Sequence, residues 1–143
     1  AAAEGQADYY ATLKCLRHYF EHKDNVSAIK KLRVPAIVAQ KCNQVWGTDH
    51  ERAMCIRSSV AAYEWAQIVA PHEVVDFARP DPRVVPSSLY TNPSLQCRLD
   101  SHFQGALCLE DKSVETSLTD PKLGTCNEDH YTIGLRPRCW YGP

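Results

Sequence analysis

Two cysteine-bounded stretches near the C-terminus each hold one histidine beside at least one carboxylate. The five residues concerned are Asp100, His102, Glu128, Asp129 and His130. A histidine can act as a general base while a carboxylate orients it, so a site built between the two stretches predicts a small secreted hydrolase. In the other interpretation these polar side chains only bond to the backbone of their own loops. The sequence leaves open whether the protein is an enzyme, and the balance favours a non-catalytic role.

The same two stretches are bounded by four cysteines, which are good zinc ligands. They are Cys97, Cys108, Cys126 and Cys139. Structural zinc sites usually place paired ligands two to four residues apart, whereas these cysteines are spaced by about a dozen residues. A zinc-binding domain is therefore a further alternative, and we expect neither a metal ion nor a cofactor.

Disulfides use the same residues without needing a tight turn. Cys97 with Cys108, and Cys126 with Cys139, would each close a short loop, and each bond would stabilise the fold by about 3 kcal/mol in the chain-entropy model. This leaves Cys15 without a partner. We expect Cys15 to be a buried free thiol, with an intermolecular disulfide as the alternative.

A third disulfide is predicted from helix geometry. Cys42 lies about six residues before the Gly47-Thr48 turn, and Cys55 lies about seven residues after it. If a helix stands on each side of this turn, the rise of 1.5 Å per residue brings both cysteines to nearly the same height. A Cys42–Cys55 bond is then within reach.

Seven cysteines in 143 residues are typical of an oxidising compartment. We therefore expect the protein to be secreted, periplasmic or in the mitochondrial intermembrane space. The start at Ala1-Ala2-Ala3, without a methionine, suggests a processed N-terminus. No apolar run approaches the roughly 20 residues that cross a bilayer, so we expect no transmembrane segment.

The chain closes on a tail rich in arginine and aromatic residues. Its candidate binding residues are Arg136, Arg138, Trp140 and Tyr141. These residue types are enriched at binding hot spots, so the tail predicts contact with a protein partner. In the other interpretation Trp140 folds back into the core beside Cys139.

The charge of the chain argues against a nucleic-acid partner. The net charge is −1, and the only basic cluster is Lys30, Lys31 and Arg33. Phosphate contacts supply most of the affinity of nucleic-acid binders, which therefore present a basic face. We interpret this short cluster as a solvated helix face.

The elements that must position these residues are helices in the first half of the chain. Apolar residues at three- and four-residue steps predict a helix over 8–23, and further helices are predicted over 35–46 and 49–70. Thr48 and Glu51 have the spacing of a capping box at the start of the last helix.

The second half has a different character. Residues 71–96 are proline-rich and are expected to wrap over the helices, and residues 97–143 are expected to be an irregular, disulfide-bonded region with little β structure. The predicted fold is mainly α and forms one domain over 1–143, because we expect neither half to bury a core alone.

These features together predict a small non-catalytic protein of an oxidising compartment. We expect it to act as an interaction module or as an accessory subunit of a larger assembly. The hydrolase and the zinc-binding domain remain as alternatives.

Overall fold

The computed structural model of the protein describes residues 3–142, so the predicted processing at Ala1 lies outside the described residues. The elements in chain order are α1 (Glu4–Tyr10), a π-helical segment (Ala11–Leu16), α2 (Arg17–Phe20), α3 (Asn25–Ile29), α4 (Ala36–Val45), α5 (Asp49–Val69) and α6 (Leu95–Leu107). The β pairing among residues 3–142 is one isolated parallel bridge between Cys126 and Leu135. The predicted mainly α fold is confirmed. None of the described helices is both long enough and apolar enough to cross a membrane.

The first helical run is continuous from α1 through the π-helical segment to α2, because the backbone stays in the right-handed helical region at both junctions. Tyr9, Leu13 and Phe20 are buried along one side, as their spacing predicts. The run begins at Glu4 rather than at the predicted Asp8. The carboxylate of Asp8 is engaged elsewhere in the core and does not cap the helix.

Helices α4 and α5 form a hairpin that a disulfide closes. Cys42 and Cys55 are bonded, with Cα atoms 5.7 Å apart, as the hairpin geometry predicts. At the start of α5 the Thr48 hydroxyl accepts a hydrogen bond from the Glu51 amide at 3.1 Å. The Glu51 carboxylate accepts from that same hydroxyl at 2.8 Å. The cap therefore forms, although the carboxylate contacts the Thr48 side chain instead of its amide.

Helix α6 replaces the irregular loop expected after Cys97. The Ser94 hydroxyl accepts from the Cys97 amide at 3.0 Å and caps the helix. Leu99, Phe103 and Leu107 recur at four-residue steps and are buried, which gives the helix an apolar side. The serine cap and the apolar spacing make this stretch a regular helix, although the cysteine spacing suggested a short closed loop.

The position of α6 changes the disulfide pattern. Cys97 and Cys108 lie at opposite ends of the helix, about 16 Å apart at 1.5 Å per residue, so they cannot bond to each other. Cys97 bonds Cys139 with a Cα separation of 6.0 Å, and Cys108 bonds Cys126 with a Cα separation of 5.7 Å. The predicted local pairs Cys97–Cys108 and Cys126–Cys139 are wrong. The real pairs fasten both ends of α6 to the C-terminal region.

The core has two parts that share α6. The first lies among α4, α5 and α6 and takes in Val75 and Phe77 from the proline-rich segment. Phe77 meets Phe103 edge to face at 4.9 Å between ring centroids. The second part surrounds Tyr9 and contains the two disulfides of α6. The proline-rich segment therefore packs over the helices.

The C-terminal tail pairs with the proline-rich segment through the backbone. The amide of Val85 donates to the carbonyl of Arg138 at 2.9 Å, and that of Leu89 donates to the carbonyl of Trp140 at 2.8 Å. Together with the disulfide at Cys139, these bonds hold the tail in place beside α6.

Candidate functional site

The predicted histidine base His102 lies in a charged cluster between α1 and α6. Its Nδ1 is 2.8 Å from the carbonyl oxygen of Arg98, and its Nε2 is 3.7 Å from a carboxylate oxygen of Asp8. Arg98 donates to both oxygens of that carboxylate, from Nε at 2.7 Å and from Nη2 at 2.9 Å. Burial lowers the pKa of His102, and the Asp8 charge only partly offsets this. The cluster is satisfied internally and joins the two helices.

The other predicted histidine, His130, is exposed in the C-terminal region, as are its neighbours Glu128 and Asp129. Asp129 forms an ion pair with Lys122, and the hydrogen bond from that ammonium lowers the pKa of Asp129. No hydrogen bond or ion pair links His130 to His102 in the described part of the chain. The structure therefore does not join the two histidines in one site.

Asp100 is the predicted acid–base residue with the most perturbed environment. Its carboxylate accepts hydrogen bonds from the backbone amide of Asp81 at 2.7 Å and from the side-chain amide of Gln96 at 2.8 Å. Burial raises the pKa of Asp100 to about 6. Hydrogen bonds from Arg83 lower the pKa of Asp81 to about 2. Neighbouring carboxylates with pKa values moved in opposite directions have the pattern of an acid and a base.

An open groove of about 900 Å³ runs between α6 and the C-terminal tail, and we call it the tail groove. Helix α6 supplies Asp100 and Gln104, which lie one turn apart on the same side of the helix. The tail supplies Arg136, Arg138 and Tyr141. Three of the four predicted binding residues therefore line one concave surface.

The charges around the tail groove are only partly balanced. Lys122 is paired with Asp129, and the carboxylate of Asp81 is bonded to Arg83. In contrast, the side chains of Lys41 and Arg138 line the groove without a hydrogen bond or ion pair to any described residue. The exposed carboxylate of Glu128 is the one acidic lining group that likewise has none.

Arg136 is a buried charge of the groove wall with few hydrogen-bond partners. Only 6% of the residue is exposed, yet its one hydrogen bond runs from Nη1 to the amide oxygen of Gln6 at 3.2 Å. Its Nε and Nη2 are buried and have no partner among residues 3–142. The ring of Tyr141 covers the guanidinium, with the centroid 3.7 Å from Cζ. Buried charges are normally paired, so this arginine is an exception.

Trp140, the fourth predicted binding residue, is in the core. It is 1% exposed, and its ring packs on the backbone of Gly5 so closely that a Cβ there would lie 2.3 Å from the ring. The fold-back interpretation of the tail therefore describes Trp140, and its ring does not reach the surface. A partner in the groove would meet Tyr141 and Arg138 instead.

Cys15 is a free thiol, but it is exposed rather than buried. It lies two residues from the buried Leu13 and two from the buried Arg17, which is about half a turn around the helix axis. The expectation of a buried thiol was wrong because Cys15 faces away from the stripe that packs on the core.

The four cysteines proposed as zinc ligands in the zinc-binding alternative are oxidised to disulfides. All four sulfur atoms in the C-terminal region belong to disulfides, so no thiolate remains there to bind zinc. Residues 3–142 contain no group of three or more histidine, cysteine and acidic side chains arranged to hold a metal ion.

Several residues that matter here carried little signal in the sequence. The sequence predicts only the start of a helix at Asp8, and it gives no sign of the contacts that Arg17 and Arg98 make. The spacing of Asp100 and Gln104 becomes informative only after α6 is recognised, since it then places both on one side of a helix. The capping serine and the apolar spacing of α6 were the signals that could have revealed this.

Comparison with protein-family models, with curated proteins and with solved structures finds no match for this chain.

Proposed function

We propose that this protein is a small, non-catalytic binding protein of an oxidising compartment, and that a segment of a protein partner occupies its tail groove. One observation carries the proposal. Three residues selected for their binding chemistry, Arg136, Arg138 and Tyr141, line the same open groove although Trp140 between them is buried.

The dimensions of the groove suit this role. Its volume of about 900 Å³ lies near the upper end of the range for ligand pockets, which is enough for several residues of an extended peptide. Its wall is rigid on both sides, because α6 is a regular helix and the tail is anchored by a disulfide at Cys139. A preformed site avoids part of the ordering cost of binding.

The three disulfides support the compartment. Such bonds persist in oxidising environments and are rare where thiols are kept reduced. Secretion, the periplasm and the mitochondrial intermembrane space all satisfy this condition. A role as an accessory subunit would follow if the partner belongs to a larger assembly.

Site-specific photo-cross-linking tests the proposal. A photoreactive amino acid would replace Arg138, which is exposed at the groove, and in a matched control would replace Val74, which is exposed on the proline-rich segment. We expect one protein adduct from the first position and not from the second. The adduct should disappear in Thr132→Trp, which fills the groove from an exposed lining position. An adduct that forms equally at both positions, or that survives Thr132→Trp, contradicts the proposal.

A small hydrolase is the second candidate, and the environment of Asp100 favours it. The raised pKa of this carboxyl, beside the ionised Asp81 on the groove wall, suits a general acid with a neighbouring base. Turnover of ester, peptide or glycoside substrates that is lost in Asp100→Asn, with unchanged folding, would support the hydrolase and displace the binding role. His102 and His130 do not line this groove.

A further inference from the structure

Three arginines with buried or half-buried side chains differ in how many hydrogen-bond partners their guanidinium groups have. Arg98 presents its Nε and Nη2 edge to both oxygens of the Asp8 carboxylate. Arg17 donates to the carbonyl oxygens of Gly105, Ala106 and Glu110 at 2.9 to 3.2 Å, at the negative end of α6. Arg136 is buried as deeply as Arg17, but among residues 3–142 it has no acidic partner and a single amide contact.

The two guanidinium nitrogens of Arg136 without a described partner are Nε and Nη2. Nε and Nη2 are neighbours on one edge of the guanidinium and donate in parallel, which matches the two oxygens of a carboxylate. This is the edge that Arg98 uses on Asp8 in the same molecule. In Arg136 it is this edge that lacks a partner in the described part of the chain.

We infer that the tail groove binds an acidic peptide segment of its partner, and that Arg136 receives a carboxylate side chain on its Nε and Nη2 edge. The inference rests on the proposed binding function and specifies the chemistry of the ligand. Arg136 is the anchor, and Lys41 and Arg138 supply further positive charge along the groove.

The ring of Tyr141 is the movable cover of this anchor. It lies on the guanidinium and meets Trp140 edge to face at 5.6 Å between ring centroids. Its hydroxyl forms no hydrogen bond with a described residue, and the side chain is partly exposed. Rotation about its side-chain bonds uncovers the face of the guanidinium on which the ring lies, without breaking a hydrogen bond.

The acidic residues of the groove do not cancel its preference for an acidic ligand. Asp81 and Asp100 already accept hydrogen bonds from groups of the protein itself. Glu128 is exposed and is the one acidic lining side chain without a described partner, against the three cationic side chains of Lys41, Arg136 and Arg138. An acidic segment therefore meets an excess of unpaired positive charge.

Side-chain NMR on the full chain tests the inference directly. The probe is an acetylated pentapeptide amide with two glutamates, and its matched control has two glutamines in the same places. The Nε–H signal of Arg136 should shift saturably with the glutamate peptide and not with the glutamine peptide. Inorganic phosphate at equal ionic strength should bind at least tenfold more weakly, because a peptide also occupies the rest of the groove. The Nε–H signal of Arg98 serves as the internal control and should not move.

Two variants sharpen the test. Arg136→Lys keeps the charge and loses the paired edge, and it should weaken binding of the glutamate peptide at least fivefold. Tyr141→Ala removes the cover but also a contact of the groove, so the readout is selectivity: its preference for the glutamate peptide over the glutamine peptide should be at least that of the wild type. The wild-type titration stands whether or not either variant folds.

Several results would overturn the inference: an equal response to both peptides, no saturable shift of the Arg136 signal, equal or tighter binding of phosphate, a loss below fivefold in Arg136→Lys, or a smaller preference for the glutamate peptide in Tyr141→Ala. Signals of Gln104 and Ile133 report groove occupancy separately. If they shift equally with both peptides while Arg136 does not respond, the groove still binds peptides and only the carboxylate preference fails. If only the cross-linking test fails, the proposed protein partner is lost and the chemistry of Arg136 stands.

Discussion

The interface between α1 and α6 and the tail groove use the same kinds of charged residue in opposite ways. At the interface Asp8 is held by Arg98 and approached by His102, and Arg17 caps the end of α6. In the groove Arg136 is buried without an acidic partner among residues 3–142, and Lys41 and Arg138 line the groove without a described partner. Both regions share one helix, so the contrast is not a matter of different scaffolds.

The contrast separates charges that hold the fold from charges that are available to a ligand. A buried charge costs stability unless it is paired, so interface charges that are fully paired belong to the fold. A buried guanidinium left unpaired in a groove is better explained by an external partner.

The largest effect is expected from the disulfide that joins the two regions. Replacing both Cys97 and Cys139 with alanine should lower the free energy of unfolding by about 4 kcal/mol, because the bond closes a loop with a sequence separation of 42. Urea unfolding measures the loss. Free-thiol counting on the denatured variant gives an independent check of the pairing. We expect one thiol, from Cys15, whereas three thiols would mean that the cysteines are paired locally and that the position of α6 is wrong.

The next effect concerns the interface. Arg17→Met should lower the free energy of unfolding by about 3 kcal/mol, since it leaves several buried carbonyl groups at the end of α6 without a donor. Arg138→Met is the matched control and should change stability by less than about 0.5 kcal/mol, because Arg138 is exposed. Equal losses in the two variants would erase the distinction between the regions.

A smaller effect should appear as a pH dependence of the groove wall. The pKa of Asp100 is raised in the folded state to about 6, so its favourable contribution is complete below pH 4 and is lost as the pH rises through 6. Asp81, with a lowered pKa of about 2, contributes above pH 4 and loses that contribution as the pH falls through 2. The two windows do not overlap.

Comparing the stability of the wild type with that of Asp100→Ala isolates the contribution of Asp100 to the pH dependence. The stability of the wild type relative to this variant should fall by about 1 to 2 kcal/mol between pH 4 and pH 7, as measured by urea unfolding at each pH. A relative stability that stays constant or rises over this range would show that Asp100 is not protonated more easily in the folded state.

The sequence predicted the helical half of the fold better than the C-terminal half. The hairpin of α4 and α5 was predictable because Gly47, the Thr48 cap and the spacing of Cys42 and Cys55 all agree. Helix α6 was missed because the cysteines at its two ends suggested a short closed loop. The apolar spacing inside it carried the correct signal, and the wrong disulfide pairs followed from missing it.

The candidate site was predicted only in part. Arg136, Arg138 and Tyr141 were selected from residue type alone, and the structure places them on one groove. Their companions Gln104 and Lys41 come from distant parts of the chain, and the missing partner of Arg136 depends on side-chain packing. No local pattern encodes such long-range proximity, so these features needed the three-dimensional structure.

Stability and binding measured together on Arg136→Met test the central claim most directly. Methionine keeps the apolar volume and removes a buried charge that has no acidic partner among the described residues, so stability should stay within about 0.5 kcal/mol of the wild type or rise by about 1 kcal/mol. Binding of the glutamate peptide should be lost in the same preparation. A loss of about 2 kcal/mol or more, similar to that of Arg17→Met, would show that Arg136 supports the fold and would contradict its assignment to a ligand.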